Sequence, residues 1–277
     1  LASGYTPMPE LPEVETTVNE LKADLIGRRI VDVRAPWEGA VATPPPPDFA
    51  RRLRGQRITG LGRRGKFLLF HLDGGDTLII HLRMTGHLGV VPSAEPLPAH
   101  VRLVFTLDDG RELRFRDMRK FGRAYLVASV EDVTGDLGPE PLDDDFTPEV
   151  LRIRLGRRGA PIKSILLDQR TVAGIGNIYA DEALFYAGIH PQRPGKSLTE
   201  TETERLHAAI RRVLREAIAD GGTSLDSYRR PDGSRGQHAE RIAIFRKAGT
   251  PCPRCGASVV RIVLSGRGTH FCPRCQT

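Results

Sequence analysis

In the first half of the chain the apolar residues fall in short runs of Val, Ile, Leu and Phe, cut apart by Gly, Asp and Pro. Runs of this length between turn formers predict β-strands over 29–33, 56–61, 66–72, 77–84, 101–106, 112–117 and 123–127. Asp73-Gly74-Gly75-Asp76 and Asp108-Asp109-Gly110 read as hairpin turns. A helical period over 14–25 precedes them, so the first half predicts an antiparallel sandwich or flattened barrel with an amino-terminal helix packed on it. The prolines Pro44, Pro45, Pro46 and Pro47 predict an exposed loop. Residues 135–149 are acidic, contain three prolines and break the strand pattern, as a linker would. Beyond them the period becomes helical, over 148–155, 162–168, 177–187 and 200–220, the last with apolar residues at 206, 210, 213, 214, 217 and 218. A β-hairpin over 259–264 and 269–271 closes a two-domain α+β chain.

Length and charge sharpen this picture. The 277 residues suit two domains, each large enough for a core, and no apolar run approaches a membrane span. The net charge is +7 and the pI near 9.5, which points to a polyanionic partner or to a solvated basic surface. From Tyr228 to the end there are ten Arg or Lys against two acidic residues, so the positive field belongs to the last fifth. The four cysteines follow C-x₂-C-x₁₆-C-x₂-C, which places Cys252, Cys255, Cys272 and Cys275 for one tetrahedral Zn²⁺. Disulfides or redox pairs are the alternative. A closed Cys₄ set keeps no open coordination position, so the zinc is expected to be structural.

Candidate chemistry concentrates in residues 9–16, PELPEVET. Pro12 and the carboxylates Glu10, Glu13 and Glu15 suit an ordinary capped helix start. Met8 stands directly before Pro9, however, and if translation starts there and the methionine is removed, Pro9 becomes a secondary amine able to attack a carbon electrophile. An α-amino group near pKa 8 is roughly a tenth neutral at pH 7, against about one part in a few thousand for lysine. Two further segments, HLRMTG at 81–86 and DMRKFG at 117–122, admit two readings. Met84 and Phe121 are core and Arg119 a salt-bridge partner, or the three form an apolar, planar wedge of the kind that fills the gap left by an extruded base. The glycine-bearing turn 171–177 is either a helix connection or a set of backbone N–H groups aimed at an anion.

These motifs together resemble the bacterial formamidopyrimidine-DNA glycosylases, also DNA-(apurinic or apyrimidinic site) lyases, of the formamidopyrimidine glycosylase/endonuclease VIII family. The likeness runs from Pro9 to the last residues. It implies a catalytic sandwich domain at 9–134, a linker at 135–149, a helix-two-turn-helix domain at 150–248 and a zinc finger at 249–277. It implies Pro9 as Schiff-base nucleophile, Glu10 as proton donor and Glu13 as a positioning group or second acid. Lys66 matches a lysine that reaches the phosphate beside the lesion, and Arg267, at the hairpin tip, an arginine that clasps phosphates. Met84, Arg119 and Phe121 match the wedge, and His100 a histidine near the DNA backbone. Lys163 and Asn177 match groups that hold phosphates, Glu182 a buried glutamate, and the loop to Gly236 a flap over flipped 8-oxoguanine. His238, where phenylalanine is common, and Phe245-Arg246-Lys247, in place of a tyrosine-containing stretch, depart from the pattern.

The expected activity is excision of oxidised purines from duplex DNA followed by β,δ-elimination, by a monomer in the bacterial cytoplasm at the nucleoid, with DNA lying across the cleft between the domains. Residues 1–8 are expected to be absent from the active enzyme, since a peptide-bonded proline nitrogen cannot form a Schiff base. The alternatives are an endonuclease VIII-type enzyme for oxidised pyrimidines and, if the extension is retained, a non-catalytic protein that binds damaged DNA.

Overall fold

A computed structural model describes residues 8–156 and 158–277. The expectation for residues 1–8 therefore lies, Met8 apart, outside the described residues. The chain divides into two compact units, one holding the residues up to Asp136 together with Gly221–Gln237, the other Leu137–Asp220 and His238–Thr277.

In the first unit α1 (Leu11–Leu25) is followed by β1 (Ile30–Arg34), β2 (Val41–Thr43), α2 (Pro46–Leu53), β3 (Ile58–Arg64), β4 (Phe67–Leu72), β5 (Thr77–His81), β6 (Gly86–Pro92), β7 (Val101–Leu107), β8 (Arg111–Asp117), β9 (Arg123–Val127) and the short α3 (Glu131–Thr134). Two sheets form, ordered β1-β7-β8-β6 and β2-β9-β5-β4-β3, antiparallel except where β2 meets β9. One core lies between them: Phe105, Leu113 and Phe115 from the first sheet meet Phe70, Leu78 and Ile80 from the second, with Val14, Val18, Leu21 and Leu25 of α1. Those α1 positions recur at helical spacing, which gives the helix one apolar stripe to bury. β5 is buried on both faces because Ile79 belongs to a second cluster with Leu69 and Val127, against which Val133 of α3 packs. That is why its sequence reads as an unbroken apolar run.

Two local expectations need correction. The proline run is not a loop throughout, since Pro46 and Pro47 occupy the first turn of α2, where a missing N–H costs nothing, and Phe49 and Leu53 bury its inner face. Strand β6 was hidden because Gly86 and Gly89 dilute its apolar pattern. Gly86 is required there, since a Cβ would lie 2.3 Å from the Leu82 carbonyl oxygen.

In the second unit α4 (Pro148–Leu155), α5 (Ile162–Leu167), α6 (Asn177–Ala187) and α7 (Glu200–Ala219) precede a hairpin of β10 (Val260–Leu264) and β11 (Arg267–Phe271). Much of the acidic segment expected as a linker packs into this unit: Phe146 is 1% exposed, and Gly138 N–H donates to the Gln169 carbonyl at 2.8 Å. Thr147 caps α4 through the Val150 N–H, and Thr199 with Glu202 forms a capping box on α7. Helix α6 is buried on nearly every face and stops at Gly188, whose φ of +72° suits glycine. Among the described residues no helix is long and apolar enough to cross a membrane.

Candidate functional site

The head of α1 is buried although it carries carboxylates: Pro9 is buried, and Glu10 and Glu13 are each 2% exposed. Glu13 is fixed from two sides. Its Oε2 accepts the Glu10 N–H at 2.8 Å and its Oε1 accepts the Thr223 N–H at 2.8 Å, so one side chain links the helix head to the neck of the 221–237 loop. Tyr228 adds a bond from its hydroxyl to the Glu13 carbonyl oxygen at 3.3 Å. Burial first, then the Glu13 charge, pushes the Tyr228 phenol well above its ordinary range, so it remains a donor. The loop is closed at its neck by the Thr223–Gln237 bridge and by Gly236, where a Cβ would lie 2.2 Å from the Gly222 carbonyl oxygen. Arg230 binds Glu20 at 2.6 Å and Ser227 Oγ donates to the Met84 carbonyl at 3.1 Å, so this glycine-rich segment is tied down along its length.

Lys66 sits in the two-residue turn between β3 and β4, with Gly65 at φ +54° in the place where a type II′ turn calls for glycine. It is 9% exposed. His81 lies close by: burial first, then the charges of Arg83 and Lys66, lowers its pKa to about 3, which keeps it neutral beside the two cations.

Arg119 and Phe121 lie on a loop that is held by a residue the sequence pattern did not single out. Asp117, 1% exposed, ends β8. Its Oδ1 accepts from the Thr85 hydroxyl and, at 3.2 Å, from the Arg119 N–H, while its Oδ2 accepts the Gly122 N–H at 2.7 Å. The Arg119 N–H also reaches Thr85 Oγ1 at 3.1 Å. One carboxylate thus pins the loop carrying Arg119 and Phe121 to the residue after Met84. Phe121 stays 47% exposed, with the Arg119 guanidinium 5.0 Å from its ring centroid. His100 is exposed, its backbone at φ +70°, and its carbonyl accepts the Asp117 N–H at 2.9 Å. A short polar strand end before a charged loop was the available signal for Asp117; nothing in the local pattern marked Tyr228.

In the second unit Asn177 opens α6, 5% exposed, and donates from Nδ2 to the Gly268 carbonyl at 3.1 Å. Its Oδ1 has no hydrogen-bond partner among the described residues. Arg267 is exposed at the first position of β11, just past the hairpin tip. Lys163 lies differently from the phosphate-reaching lysine expected at its position: it is 1% exposed, with Nζ 2.7 Å from Asp181 Oδ1. Glu182, 1% exposed, accepts the N–H groups of Ala243, Ile244 and Phe245 at 2.8, 2.9 and 2.9 Å. Burial raises its pKa and those three donors oppose the rise. Of the two departures from the family pattern, His238 is buried and bonds Asp220 at 2.8 Å, and Phe245 packs edge-on against His270.

The zinc ligands fit one ion. All four Sγ atoms lie within 4.8 Å of one another, with Cys252–Cys275 at 3.9 Å and Cys255–Cys272 at 3.5 Å, and none is in a disulfide. A tetrahedron with Zn–S near 2.3 Å has edges of about 3.8 Å. Without a cation, burial first and then the neighbouring sulfurs push the Cys275 thiol up to about 12, a crowding that a divalent ion relieves. Arg254 ties the first knuckle to the end of α6 through the Phe185 and Tyr186 carbonyls. Cys272 N–H donates to Gln276, whose amide reaches the Ile189 carbonyl.

Comparison with known proteins agrees with this arrangement. Residues 8–124 match the formamidopyrimidine-DNA glycosylase N-terminal domain, 137–228 its H2TH domain, and 249–277 the zinc finger found in FPG and IleRS. The formamidopyrimidine-DNA glycosylase of Chloroflexus aggregans is 53% identical over 272 residues, covering 97% of this chain and 98% of that protein. Its counterpart from Geobacillus kaustophilus is 46% identical over 274 residues, covering 97% and 100%. The crystal structure of the Fpg (MutM) protein from Thermus thermophilus superposes with a TM-score of 0.87 at 45% identity, covering 97% of this chain and 98% of that one. The Lactococcus lactis Fpg complex with abasic-site DNA does so with a TM-score of 0.91 at 37% identity, covering 97% and 99%. With three successive domains matched in order and relatives similar along almost the whole chain, this protein belongs to the formamidopyrimidine-DNA glycosylase family.

Proposed function

We propose that this chain is a bifunctional DNA glycosylase and lyase that removes oxidised purines, among them 8-oxoguanine and formamidopyrimidines, from duplex DNA and then cuts the backbone. The observation that carries the reading is the full-length similarity to formamidopyrimidine-DNA glycosylases, with the Pro9-Glu10 pair at the head of α1. Relatives whose names specify that activity favour it over the endonuclease VIII-type and the non-catalytic alternatives. The Lactococcus lactis protein has been crystallised with Fapy-dG and abasic-site DNA, which supports the same substrate class here.

The Pro9 amine attacks C1′ of the extruded nucleoside, and the base leaves with the glycosidic bond pair and takes up the proton that the amine sheds. Breaking of the bond from C1′ to the ring oxygen then turns the adduct into an iminium. Glu10 delivers the proton to the sugar ring oxygen as the ring opens, and Glu13 keeps the helix head in place. The iminium acidifies C2′, loss of that proton expels the 3′ phosphate, and a second elimination expels the 5′ phosphate. A one-nucleotide gap flanked by phosphates remains. Lys66, Arg267, Asn177 and His100 hold the backbone, while Met84, Arg119 and Phe121 fill the space of the flipped base, offsetting a few kcal/mol of lost stacking. The zinc shapes the hairpin that carries Arg267 and takes no part in the chemistry. The enzyme acts as a monomer in the bacterial cytoplasm, at the nucleoid. The Pro9 amine must be free, so borohydride trapping on a duplex with 8-oxoguanine opposite cytosine should give a covalent adduct with a chain beginning at Pro9. Tight binding without an adduct would overturn the catalytic reading in favour of a damage-binding protein.

A further inference from the structure

Lys163, on α5, has its ammonium among three oxygens. Asp181 Oδ1 of α6 is 2.7 Å away, and on β11 the Thr269 hydroxyl and the Gly268 carbonyl accept at 2.9 and 3.1 Å. Asp181 is 1% exposed, and its second oxygen accepts the His270 N–H at 2.9 Å and lies 3.1 Å from His270 Nδ1. The Gly268 carbonyl, directly after Arg267, also accepts from Asn177. Two helices therefore converge on the backbone beside the exposed arginine. At the hairpin tip a third tie, between the Ser164 and Ser265 hydroxyls at 2.8 Å, comes from α5 as well.

A lysine and an aspartate this deeply buried are costly to desolvate, a cost offset by their mutual charge at 2.7 Å, by the Thr269 and Gly268 oxygens on Lys163 and by the His270 N–H on Asp181. The interior placement removes Lys163 from direct contact with a partner molecule and gives it a mechanical task. We infer that Lys163, Asp181 and His270 form a buried strut that positions Arg267 and Asn177, so that Lys163 acts on DNA through the zinc hairpin and not by touching a phosphate. This rests on the reading of Arg267 as a phosphate-clasping cation. Lys163 and Asp181 are positioning residues, and His270 supplies the hairpin end of the strut.

The test uses the chain beginning at Pro9 and a duplex with a tetrahydrofuran abasic analogue, with affinity measured against salt concentration and zinc content measured for every variant. Arg267→Ala is read first: a salt slope shallower by about one establishes the phosphate contact. An unchanged slope and affinity overturn that reading of Arg267 and leave the activity reading standing. If the strut exists, Lys163→Met and Asp181→Asn each weaken binding about tenfold with the zinc retained, because either change leaves an uncompensated buried charge beside the hairpin. The Lys163→Met/Asp181→Asn double variant recovers part of that loss. On top of Arg267→Ala the Lys163→Met change costs less than it does in the parent and leaves the salt slope where Arg267→Ala put it, what remains being the share that passes through Asn177. A direct phosphate contact by Lys163 gives the opposite pattern. Asp181→Asn then binds as tightly as the parent, and Lys163→Met with Arg267→Ala lowers the slope by about two. Either of those results, or zinc loss in both single variants without recovery in the double, overturns the strut.

Discussion

Replacing Asp117 with Asn should separate holding the wedge from having one. The carboxylate is 1% exposed and spans Thr85, Arg119 and Gly122. An asparagine can turn its oxygen toward Thr85 and the Arg119 N–H, but its NH₂ group then faces the Gly122 N–H, leaving two donors opposed. A hydrogen bond to a charged group contributes about 1.5–3 kcal/mol, so the loss of the Gly122 contact should cost roughly 2–3 kcal/mol. That is tolerable against a total of about 5–15 kcal/mol, and the melting temperature should fall by about 5–10 °C. If that energy is what holds the loop in its wedge-ready form, up to about thirty-fold of the competent population is lost at about 2 kcal/mol and up to about 150-fold at about 3 kcal/mol. Single-turnover release of 8-oxoguanine should slow by about ten- to thirty-fold, and 2-aminopurine fluorescence beside the lesion should report slower base extrusion. Phe121→Ala is the comparison. Its side chain is half exposed, so stability should change by about 0.5 kcal/mol or less while extrusion fails. Wild-type extrusion and excision in Asp117→Asn, with the melting temperature lowered, would refute the argument that this carboxylate sets the wedge.

Glu10→Gln should reduce base removal far more than binding of the tetrahydrofuran duplex; an unchanged glycosylase rate would move the acid role to another group. Cys272→Ala should lose zinc and damaged-DNA binding together, and a metal-free variant that binds normally would refute the structural role of the ion. Glu202 offers a pH test: the Arg193 hydrogen bond, aided by the Thr199 cap, holds its carboxyl at about 2 in the folded state against 4.5 as its ordinary value. A depressed carboxylate pKa adds stability that is complete above pH 4.5 and lost as pH falls through 2, worth about 1–2 kcal/mol after solvent screening. Glu202→Gln should therefore melt lower at pH 7 and match the parent near pH 2, as followed by calorimetry; a constant difference across that range would contradict the linkage.

What could be read from the residues depended on whether their signal was periodic or convergent. Strands with clean alternation, such as β7 and β8, and helices with caps and a repeating apolar stripe, such as α1 and α7, announce themselves locally because burial selects one face at a fixed period. Strand β6 and helix α2 are not legible locally because glycine and proline usually mark turns, whereas Gly86 answers a close backbone approach and Pro46 an ordinary helix start. The zinc site was legible because ligand spacing is itself the chemistry. Asp117, Tyr228 and Asp181 were not, since each has its importance from partners distant in sequence: Tyr228 meets Glu13, Asp181 meets Lys163 and His270, and Asp117 meets Thr85. Lys163 shows the limit most plainly. A lysine in a DNA-binding family suggests a phosphate contact by residue type alone, and only burial and the Asp181 carboxylate distinguish a hand on the DNA from a brace behind one. On the proposed reading Arg267, exposed on the hairpin, is the charge that reaches outward, and the buried Lys163–Asp181 pair behind it holds its place.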